Sequence, residues 1–359
     1  MYQNEPLTKE DAKELQELTL REKVSLTQWG KMYQWTSFWR GQVRLSFSGG
    51  KDSTVMCYLF CELLAQARDL CQTVHIAFSN TELEYPEIRI FAKWFATQWL
   101  PKRFPSLDIR FYSIRPKIGF RESILKSGYP IVSKEVASSI YEARRNPNGA
   151  GAIRLRGEYR RRDGTKSEFN LEKWAFLMRA PFQIGAGCCK DIKKAPLDRF
   201  GRETSLKSMV ATMAEESRRR MSAWLQTGCN VFEGKRPVGK PMSFWRNQDV
   251  LAFIKERGIP ICSVYGEIVA TDGENDYDET LIPCKLRCTG CARTGCVLCA
   301  FGAHLEQGEN RFQRLKRTHP HMWRHGMLGG EFNAEGMWVP NEKGIGMARV
   351  LDYYGVPWE

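Results

Sequence analysis

The chain has 359 residues, and its 54 Lys and Arg against 41 Asp and Glu give a net charge of +13. The hydrophobic fraction of 42% and the charged fraction of 26% exclude wholesale disorder, collagen and coiled coil. Its apolar stretches are too short to span a bilayer and its N-terminus is polar, so we expect a cytoplasmic protein with no membrane partner. The positive surplus favours an anionic partner, or else a solubilising surface.

Strand and helix patterns alternate along the first two thirds of the sequence. Residues 1–40 predict helix, with Thr8 and Asp11 as a capping box. The predicted strands are 43–47, 73–78, 109–114 and 208–213, and the predicted helices are 53–70, 86–100 and 215–225. This alternation predicts an α/β fold with a doubly wound parallel sheet.

The composition changes along the chain and predicts three parts. A helical segment at 1–40 precedes a nucleotide-binding α/β domain at 41–230. A basic insertion at about 146–175, which we interpret as a hairpin, interrupts that domain. Residues 231–359 are rich in Gly, Pro, Cys and charge, which predicts a loop-rich C-terminal region held by a metal centre.

The most informative motif is Ser-Gly-Gly-Lys-Asp-Ser-Thr at 48–54, between a predicted strand and a predicted helix. Gly49 and Gly50 allow the backbone to approach phosphate oxygens closely and to adopt a positive φ. The start of the helix offers free N–H groups and a positive dipole end to an anion. The adjacent glycines distinguish this string from a Walker loop. The alternative interpretation is an incidental turn before a helix.

The polar side chains of this loop suit a nucleotide. Lys51 supplies a point charge, and Ser48, Ser53 and Thr54 supply hydroxyl donors. Asp52 would repel a phosphate unless a cation bridges the two, which implies Mg²⁺. Ser48, Lys51 and Asp52 are therefore the expected catalytic residues.

The loop resembles the PP-loop of the ATP pyrophosphatase superfamily, whose fold is called adenine nucleotide alpha hydrolase-like. Other segments resemble the phosphoadenosine phosphosulfate (PAPS) reductase family. They are Asn-Thr-Glu-Leu-Glu-Tyr-Pro-Glu at 80–87, Glu-Ser-x-x-Arg at 216–220, Pro-x-x-x-Trp-x-x-x-Asp-Val at 241–250 and Gly-Cys-x-x-Cys at 295–299. The resemblance covers about residues 40–320, and several motifs in one order are more specific than any single one.

The resemblance implies that an adenine nucleotide binds at the carboxyl ends of the strands. It places Asn80, Thr81 and Glu82 near that nucleotide, although a plain loop is the alternative. It also places an anionic substrate near Glu216, Ser217 and Arg220.

The 12 cysteines, in a chain with no predicted export signal, do not indicate a disulfide scaffold. The adjacent pair Cys188-Cys189, followed by Lys190, Lys193 and Lys194, resembles an element of the iron–sulfur members of the family. That resemblance implies a 4Fe–4S cluster on Cys188, Cys189, Cys296 and Cys299, with the lysines offsetting its charge or binding an anionic substrate. We interpret Cys57, Cys61, Cys71, Cys229 and Cys262 as buried core thiols.

Three further cysteines, Cys284, Cys288 and Cys291, depart from the family pattern. They could be alternative cluster ligands, ligands of a second metal or a sulfur-carrying thiol. Zinc on the two Cys-x-x-Cys pairs is the alternative to iron and sulfur, but the pairs are closer together than in most four-cysteine zinc sites.

Two basic segments could follow a polynucleotide backbone or could be solvated surface. One runs from Arg154 to Arg162. The other has Phe312 and Trp323 interleaved with Arg311, Arg314, Lys316, Arg317, His319, His321, Arg324 and His325.

Three functions follow. The first is an enzyme that uses ATP and Mg²⁺ to adenylate a substrate, with pyrophosphate release and sulfur transfer. It resembles the enzymes of tRNA thiolation and DNA phosphorothioation, so tRNA or DNA, a sulfur donor such as a cysteine desulfurase, and a second copy of the chain are its candidate partners. The second is a PAPS or adenosine phosphosulfate reductase. The third is a zinc-stabilised nucleic-acid-binding module.

Sequence features weigh against the last two functions. The reductases usually lack the aspartate of the loop, which is present here as Asp52. They carry a late nucleophilic cysteine, whereas this chain has none after Cys299, and Ala-Thr-Met at 211–213 replaces their Gly-Ile-Arg. The phosphate loop argues against a binding module without turnover.

Overall fold

The computed structural model describes residues 6–234, 236–271 and 285–359. The strands are β1 (Val43–Phe47), β2 (Thr73–Ser79), β3 (Asp108–Ile114), β4 (Ile131–Val132), β5 (Lys207–Val210), β6 (Asn230–Val231), β7 (Val238–Gly239), β8 (Ile268–Ala270), β9 (Leu286–Cys288), β10 (Ala300–Phe301), β11 (Glu331–Phe332) and β12 (Trp338–Val339).

The α-helices are α1 (Lys9–Glu17), α2 (Leu20–Ser25), α3 (Tyr33–Phe38), α4 (Lys51–Gln66), α5 (Pro86–Trp94), α6 (Leu100–Arg103), α7 (Phe120–Ser127), α8 (Lys134–Ala143), α9 (Ala150–Leu155), α10 (Ala195–Thr204), α11 (Arg218–Thr227), α12 (Asn247–Arg257), α13 (Arg311–Thr318), α14 (Pro320–Met327) and α15 (Met347–Tyr353). The π-helical segments are Leu26–Met32, Phe95–Trp99 and Cys189–Lys194, and the 3₁₀ segments are Glu172–Arg179, Ala214–Glu216, Ser263–Tyr265 and Ala303–Leu305.

The main sheet is mostly parallel. Its strand order is β3-β2-β1-β5-β7-β6, and only β6 runs antiparallel to its neighbour. Val43, Leu45 and Phe47 of β1 are all buried, which is the pattern of a central strand covered on both faces. The predicted α/β class with a parallel sheet is therefore confirmed.

The strand order reverses at β1. The chain steps from β1 to β2 to β3 on one side, and β5 pairs with the other side of β1. In open α/β sheets, ligands bind outside the carboxyl ends of the strands at this kind of switch point. The residues that follow Phe47 thus lie where such a fold binds its ligands.

The N-terminal helices are fixed by buried polar contacts as well as by apolar packing. The Lys23 ammonium lies 2.8 Å from the Asp249 carboxylate, and both side chains are buried. The Trp245 indole donates to the Thr27 hydroxyl at 2.7 Å, and the Gln28 amide donates to the Leu59 carbonyl at 3.1 Å. These bonds tie α2 and the π-helical segment after it to α4 and α12.

The chain divides into two compact units. The first comprises Met1–Asn80, Glu84–Ile114 and Leu197–Thr294 and contains the main sheet. The second comprises Thr81–Leu83, Arg115–Pro196 and Gly295–Glu359, and it contains the short pairs β4–β10 and β11–β12. The predicted boundaries at residues 41 and 231 stay a prediction.

Most predicted elements are present in the structure. The Thr8–Asp11 capping box begins α1. The predicted strand at 43–47 is β1, and the helix predicted over 53–70 is α4, which begins at Lys51. The basic insertion contains a hairpin bridge between Arg160 and Lys166, and it also contains α9, which the sequence did not predict.

The scattered cysteines are buried with one exception. Cys57 and Cys61 lie on the buried helix α4, and Cys229 and Cys262 are also buried. Cys71 was predicted to be a core thiol and is exposed, because it lies in the turn between α4 and β2. Within the described residues, no helix has the length and apolar character needed to cross a membrane.

Candidate functional site

The loop at 48–54 turns from β1 into α4. Gly49 has φ +71°, and a Cβ at this position would lie 2.8 Å from Ile88 Cγ2 and 3.1 Å from the Ile88 carbonyl oxygen. A side chain would therefore be both strained and in collision with α5. Gly50 begins α4 as its N-cap and, being glycine, makes no side-chain hydrogen bond to the N–H groups of the first turn.

The hydroxyls of the loop hold its shape. Ser53 Oγ donates to the Gly50 carbonyl oxygen at 2.9 Å, and Thr54 Oγ1 does so at 3.0 Å. Ser48 Oγ lies 3.0 Å from Ser53 Oγ and accepts the Gly50 N–H at 3.3 Å. Ser53 and Thr54 are buried, whereas Ser48 is exposed. The loop is thus preorganised by its own side chains.

Lys51 and Asp52 provide charge of both signs beside the loop. Lys51 Nζ lies 3.1 Å from Asp52 Oδ1, and the side-chain exposures are 7% for the lysine and 27% for the aspartate. The cation is therefore held at a nearly buried position by a carboxylate that water still reaches. This arrangement can pair with phosphate charge and can offer an oxygen ligand to a hard cation.

Tyr265 and Thr294 lie against the start of α4, and no sequence pattern predicted either residue. The Tyr265 hydroxyl accepts the Lys51 backbone N–H at 3.4 Å and lies 2.7 Å from Thr294 Oγ1. A Cβ on Gly50 would lie 3.2 Å from the same hydroxyl. Tyr265 is 2% exposed, and burial raises the pKa of its phenol. The neutral Tyr265 hydroxyl therefore lies at the position where an anion bound by the Lys51 N–H would lie.

Glu216, Ser217 and Arg220, predicted to bind an anion, lie in the same unit as the loop. The Ser217 hydroxyl accepts the Arg220 N–H at 3.3 Å and so caps α11. Glu216 forms ion pairs with Arg220 and with Arg293, the latter at 3.6 Å. Burial and the charge of Arg293 lower the pKa of Arg220, and the charge of Asp52 opposes this effect. The Glu216 carboxylate thus pairs with two guanidinium groups, and the negative charge of Asp52 acts on the pKa of Arg220.

The extra cysteines Cys288 and Cys291 belong to the first unit, which also contains the loop at 48–54. Burial raises the pKa of the Cys288 thiol, while the charge of Lys51 lowers it and that of Asp52 raises it. The Cys291 backbone N–H donates to the Val264 carbonyl at 2.8 Å, beside Tyr265. Cys284 lies outside the described residues.

The segment predicted near the nucleotide is divided between the two units. Asn80 follows β2 in the first unit, where its N–H donates to the Ile114 carbonyl at 3.0 Å. Thr81 and Glu82 belong to the second unit, where Glu82 has φ +64° and lies 3.7 Å from Arg115. Their role in nucleotide binding stays a prediction.

The four cysteines implied as cluster ligands share the second unit. The Cys188 thiol donates a hydrogen bond to Cys189, and that bond raises the pKa of Cys188, as do burial and the nearby Cys299 and Cys296. The same bond lowers the pKa of Cys189, helped by Lys134, Lys193 and Lys194. Among the described residues, no group of three or more His, Cys, Asp or Glu is arranged to hold a metal ion.

The backbone positions these cysteines from two directions. Cys188 precedes a π-helical turn in which the Lys190 N–H donates to the Gly187 carbonyl at 2.8 Å. The Cys299 N–H donates to the Cys296 carbonyl at 3.0 Å, and β10 begins directly afterwards. Arg311 Nη1 donates to the Cys299 carbonyl at 2.8 Å. Lys190 is exposed. The charges of Lys193 and Lys194 lower the pKa of the Cys189 thiol.

Comparisons with known proteins give a likeness to solved structures. No family model and no curated protein matches the chain. Among solved structures, the chain is similar to the phosphoadenylyl-sulfate (PAPS) reductase of Candida auris in a phosphate complex. The identity is 14% and the TM-score 0.34, over 72% of this chain and 92% of that one. The fold class rests on the strand order described above rather than on this likeness.

Proposed function

We propose that this protein is an enzyme of the PP-loop type that binds ATP at residues 48–54 and adenylates a substrate with release of pyrophosphate, in the course of sulfur transfer. The observation that supports it best is the position of the loop. A Ser-Gly-Gly-Lys-Asp-Ser string lies at the switch point of a parallel sheet, with Gly49 in a conformation that only glycine adopts easily.

The loop's own residues account for the chemical step. The first-turn N–H groups of α4 and the Lys51 ammonium would bind the oxygens of the β- and γ-phosphates, and the Lys51 N–H would exchange the Tyr265 hydroxyl for a phosphate oxygen. When the acceptor attacks the α-phosphate, negative charge builds up on the leaving pyrophosphate. Donors already fixed by the Ser48, Ser53 and Thr54 hydrogen bonds stabilise that charge without reorganising.

Asp52 is the residue that would hold Mg²⁺. Its carboxylate is partly exposed at the entrance of the loop, and carboxylate oxygen is the ligand type that this cation prefers. The ion would neutralise phosphate charge that Asp52 would otherwise repel. Arg220 and Arg293, which share Glu216, would hold an anionic part of the second substrate.

The sulfur chemistry is proposed for the second unit. Cys188, Cys189, Cys296 and Cys299 are soft thiol ligands in one neighbourhood, and the lysines around Cys189 favour thiolate, so the donor set fits an iron–sulfur cluster in its chemistry. When bound, such a cluster would supply or position the sulfur that is transferred.

Pyrophosphate release under anaerobic conditions tests the proposal, with ATP, Mg²⁺ and tRNA, DNA or adenosine phosphosulfate as the acceptor. We expect release with one acceptor and none from Asp52→Ala, while Asp52→Glu retains part of the activity. Asp69→Ala is the matched control, since Asp69 is an exposed carboxylate that accepts the Tyr33 hydroxyl at 2.6 Å. Undiminished release by Asp52→Ala would overturn the proposal. Reduction of adenosine phosphosulfate to sulfite without pyrophosphate would assign the chain to the reductases instead.

A further inference from the structure

We propose that the second unit binds single-stranded nucleic acid on a surface of interleaved aromatic rings and cations, called here the aromatic platform. The platform comprises Lys173, Trp174, Phe176, His304, Phe332, Trp338, Arg349 and Tyr353. That this nucleic acid is the acceptor of the adenylation rests on the proposed function. Binding of the nucleic acid to the platform does not depend on the loop at 48–54.

One part of the platform is a row of rings in contact. The Phe176 and Tyr353 rings stack with centroids 6.2 Å apart, and Trp174 lies 6.3 Å from Phe176 and 5.1 Å from His304. Phe176 is 46% exposed and Tyr353 36% exposed, so the row presents ring surface to solvent. At its inner end the Tyr353 ring lies 5.5 Å from Phe182, which is fully buried.

The other part pairs an arginine with two rings. The Arg349 guanidinium lies 4.6 Å from the Phe332 ring centroid and 5.1 Å from that of Trp338. Phe332 is 49% exposed. Arg349 and Tyr353 are four residues apart on α15, so they lie on the same side of that helix and join the two parts. The Trp338 N–H also donates to the Pro181 carbonyl at 2.6 Å, next to Phe182.

Hydrogen bonds to backbone carbonyls fix the chain segments that carry the platform. Arg144 donates to the carbonyls of Phe182, Ala180, Leu177 and Met178 at 2.7, 2.9, 3.0 and 3.3 Å, and so fixes the chain after Phe176. The Trp338 indole donates to the Gly346 carbonyl at 3.0 Å. A Cβ on Gly330 would lie 2.5 Å from the Trp338 ring, so glycine permits this packing. Rings fixed in advance lose little conformational entropy on binding.

The charges of the platform favour nucleic acid over an apolar protein face. In the described part of the chain, neither Lys173 nor Arg349 forms an ion pair with a carboxylate, and Lys173 lies 5.3 Å from the Trp174 centroid. Most of the net positive charge of the chain falls in this unit. Bases stack on aromatic faces and on guanidinium planes, while unpaired cations attract the phosphates between them.

The basic segments predicted from the sequence fit this role less well, because carboxylates offset part of their charge. Arg154 pairs with Glu135, Arg156 with Glu158 at 2.8 Å, Arg161 with Glu168 at 2.5 Å, Arg311 with Glu306 at 2.5 Å, and Arg314 and Arg317 with Glu309 at 3.4 and 2.9 Å. An arginine already paired gains less from a phosphate. The platform is composed of residues too dispersed in the sequence to form a motif.

The test is the binding of a fluorescein-labelled single-stranded oligonucleotide to the full-length protein without ATP, measured by anisotropy with RNA, DNA and duplex arms. We expect single-stranded RNA, single-stranded DNA or both to bind more tightly than the duplex. Phe176→Ala and Tyr353→Ala should each weaken single-strand binding by about tenfold, and Tyr353→Phe should not, because base stacking needs the ring alone. Arg349→Gln should also weaken binding and lower its salt dependence.

The controls separate this inference from misfolding and from the proposed function. Arg161→Gln, in a paired position of the basic insertion, should change affinity less than Arg349→Gln does. Asp52→Ala should bind the oligonucleotide as the wild type does, whatever happens to pyrophosphate release. Circular dichroism and thermal unfolding check the folding of each variant. Equal binding of duplex and single strand, binding unaffected by Phe176→Ala in a folded protein, or no binding by the wild type would each overturn the inference.

Discussion

The Tyr265 hydroxyl oxygen lies 3.4 Å from the Lys51 backbone nitrogen and accepts its N–H at the first turn of α4. An N–H group at the start of a helix is what a phosphate oxygen would bind. The tyrosine oxygen therefore occupies a position that the nucleotide of the proposed function would need, through a long and hence weak hydrogen bond. Thr294 holds the hydroxyl there at 2.7 Å.

Replacing Tyr265 by Phe should tighten nucleotide binding. The variant keeps the buried ring but frees the Lys51 N–H, so we expect ATP and Mg²⁺ to bind about fivefold more tightly, the equivalent of one modest hydrogen bond. Isothermal titration calorimetry measures the change. Tyr33→Phe, which loses an exposed hydrogen bond to Asp69, is the control. Weaker binding by Tyr265→Phe would show that the hydroxyl contacts the nucleotide instead of competing with it.

Gly49→Ala should destabilise the protein and abolish nucleotide binding. The added Cβ meets Ile88 Cγ2 at 2.8 Å, and φ +71° costs an alanine roughly 1–2 kcal/mol before that collision is counted. Gly258→Ala provides the comparison, because Gly258 has φ +60° and nothing within 4 Å of its Cβ position. Urea unfolding should give a larger loss for Gly49→Ala. Equal losses would mean that α5 yields and that the close approach is unimportant.

Serine substitutions should divide the cysteines into two groups. Cys188→Ser and Cys296→Ser, in the second unit, should lose most iron and acid-labile sulfide from anaerobically purified protein. Cys288→Ser and Cys291→Ser, in the first unit, should retain both. The exposed Cys71→Ser is a further control. Colourless wild-type protein that contains only zinc would contradict the iron–sulfur assignment.

Arg144→Lys should loosen the chain from Leu177 to Phe182. An ammonium group cannot reproduce the four guanidinium contacts to carbonyl oxygens, so we expect a loss of about 2–4 kcal/mol in the free energy of unfolding. Arg145→Lys is the matched control, since Arg145 lies over the Tyr141 ring, 3.6 Å from its centroid. A loss no larger than that of the control would contradict this account of Arg144.

His75 should make stability depend on pH in the weakly acidic range. Burial lowers its pKa below 6.5, and its Nδ1 lies 3.1 Å from the Tyr112 hydroxyl. Above pH 6.5 the imidazole is neutral in both states. As the pH falls below 6.5 the unfolded chain takes up the proton first, so stability falls until the folded pKa is passed. Urea unfolding from pH 7.5 to 5 should show this decline, and His75→Gln should reduce it.

The sequence predicted the sheet and the loop because both have local signals. Strand 43–47, the glycines and the helix after them are contiguous, and the periodicity of α4 is read directly from the residues. Tyr265 and Thr294 could not be predicted in this way. Their place above Lys51 depends on long-range folding that brings residues over 200 positions apart together.

The cysteines illustrate the same limit. Spacing alone left Cys288 and Cys291 open as alternative cluster ligands, as ligands of a second metal or as a sulfur-carrying thiol. The structure assigns the two sets to different units, a division that depends on which segments pack together and that no spacing rule contains. The assignment of Cys188, Cys189, Cys296 and Cys299 as ligands stays a prediction.

The buried Lys23–Asp249 ion pair limits how far the chain can be shortened from its N-terminus. A fragment that starts at the first strand would lack Lys23 and would leave the buried Asp249 carboxylate without its ion-pair partner, a defect worth about 3–5 kcal/mol. It would also deprive the Trp245 indole of its acceptor, Thr27. Expression trials that remove the leading helices as if they were a dispensable tag should therefore yield insoluble material, whereas deletions that stop before Lys23 preserve both contacts.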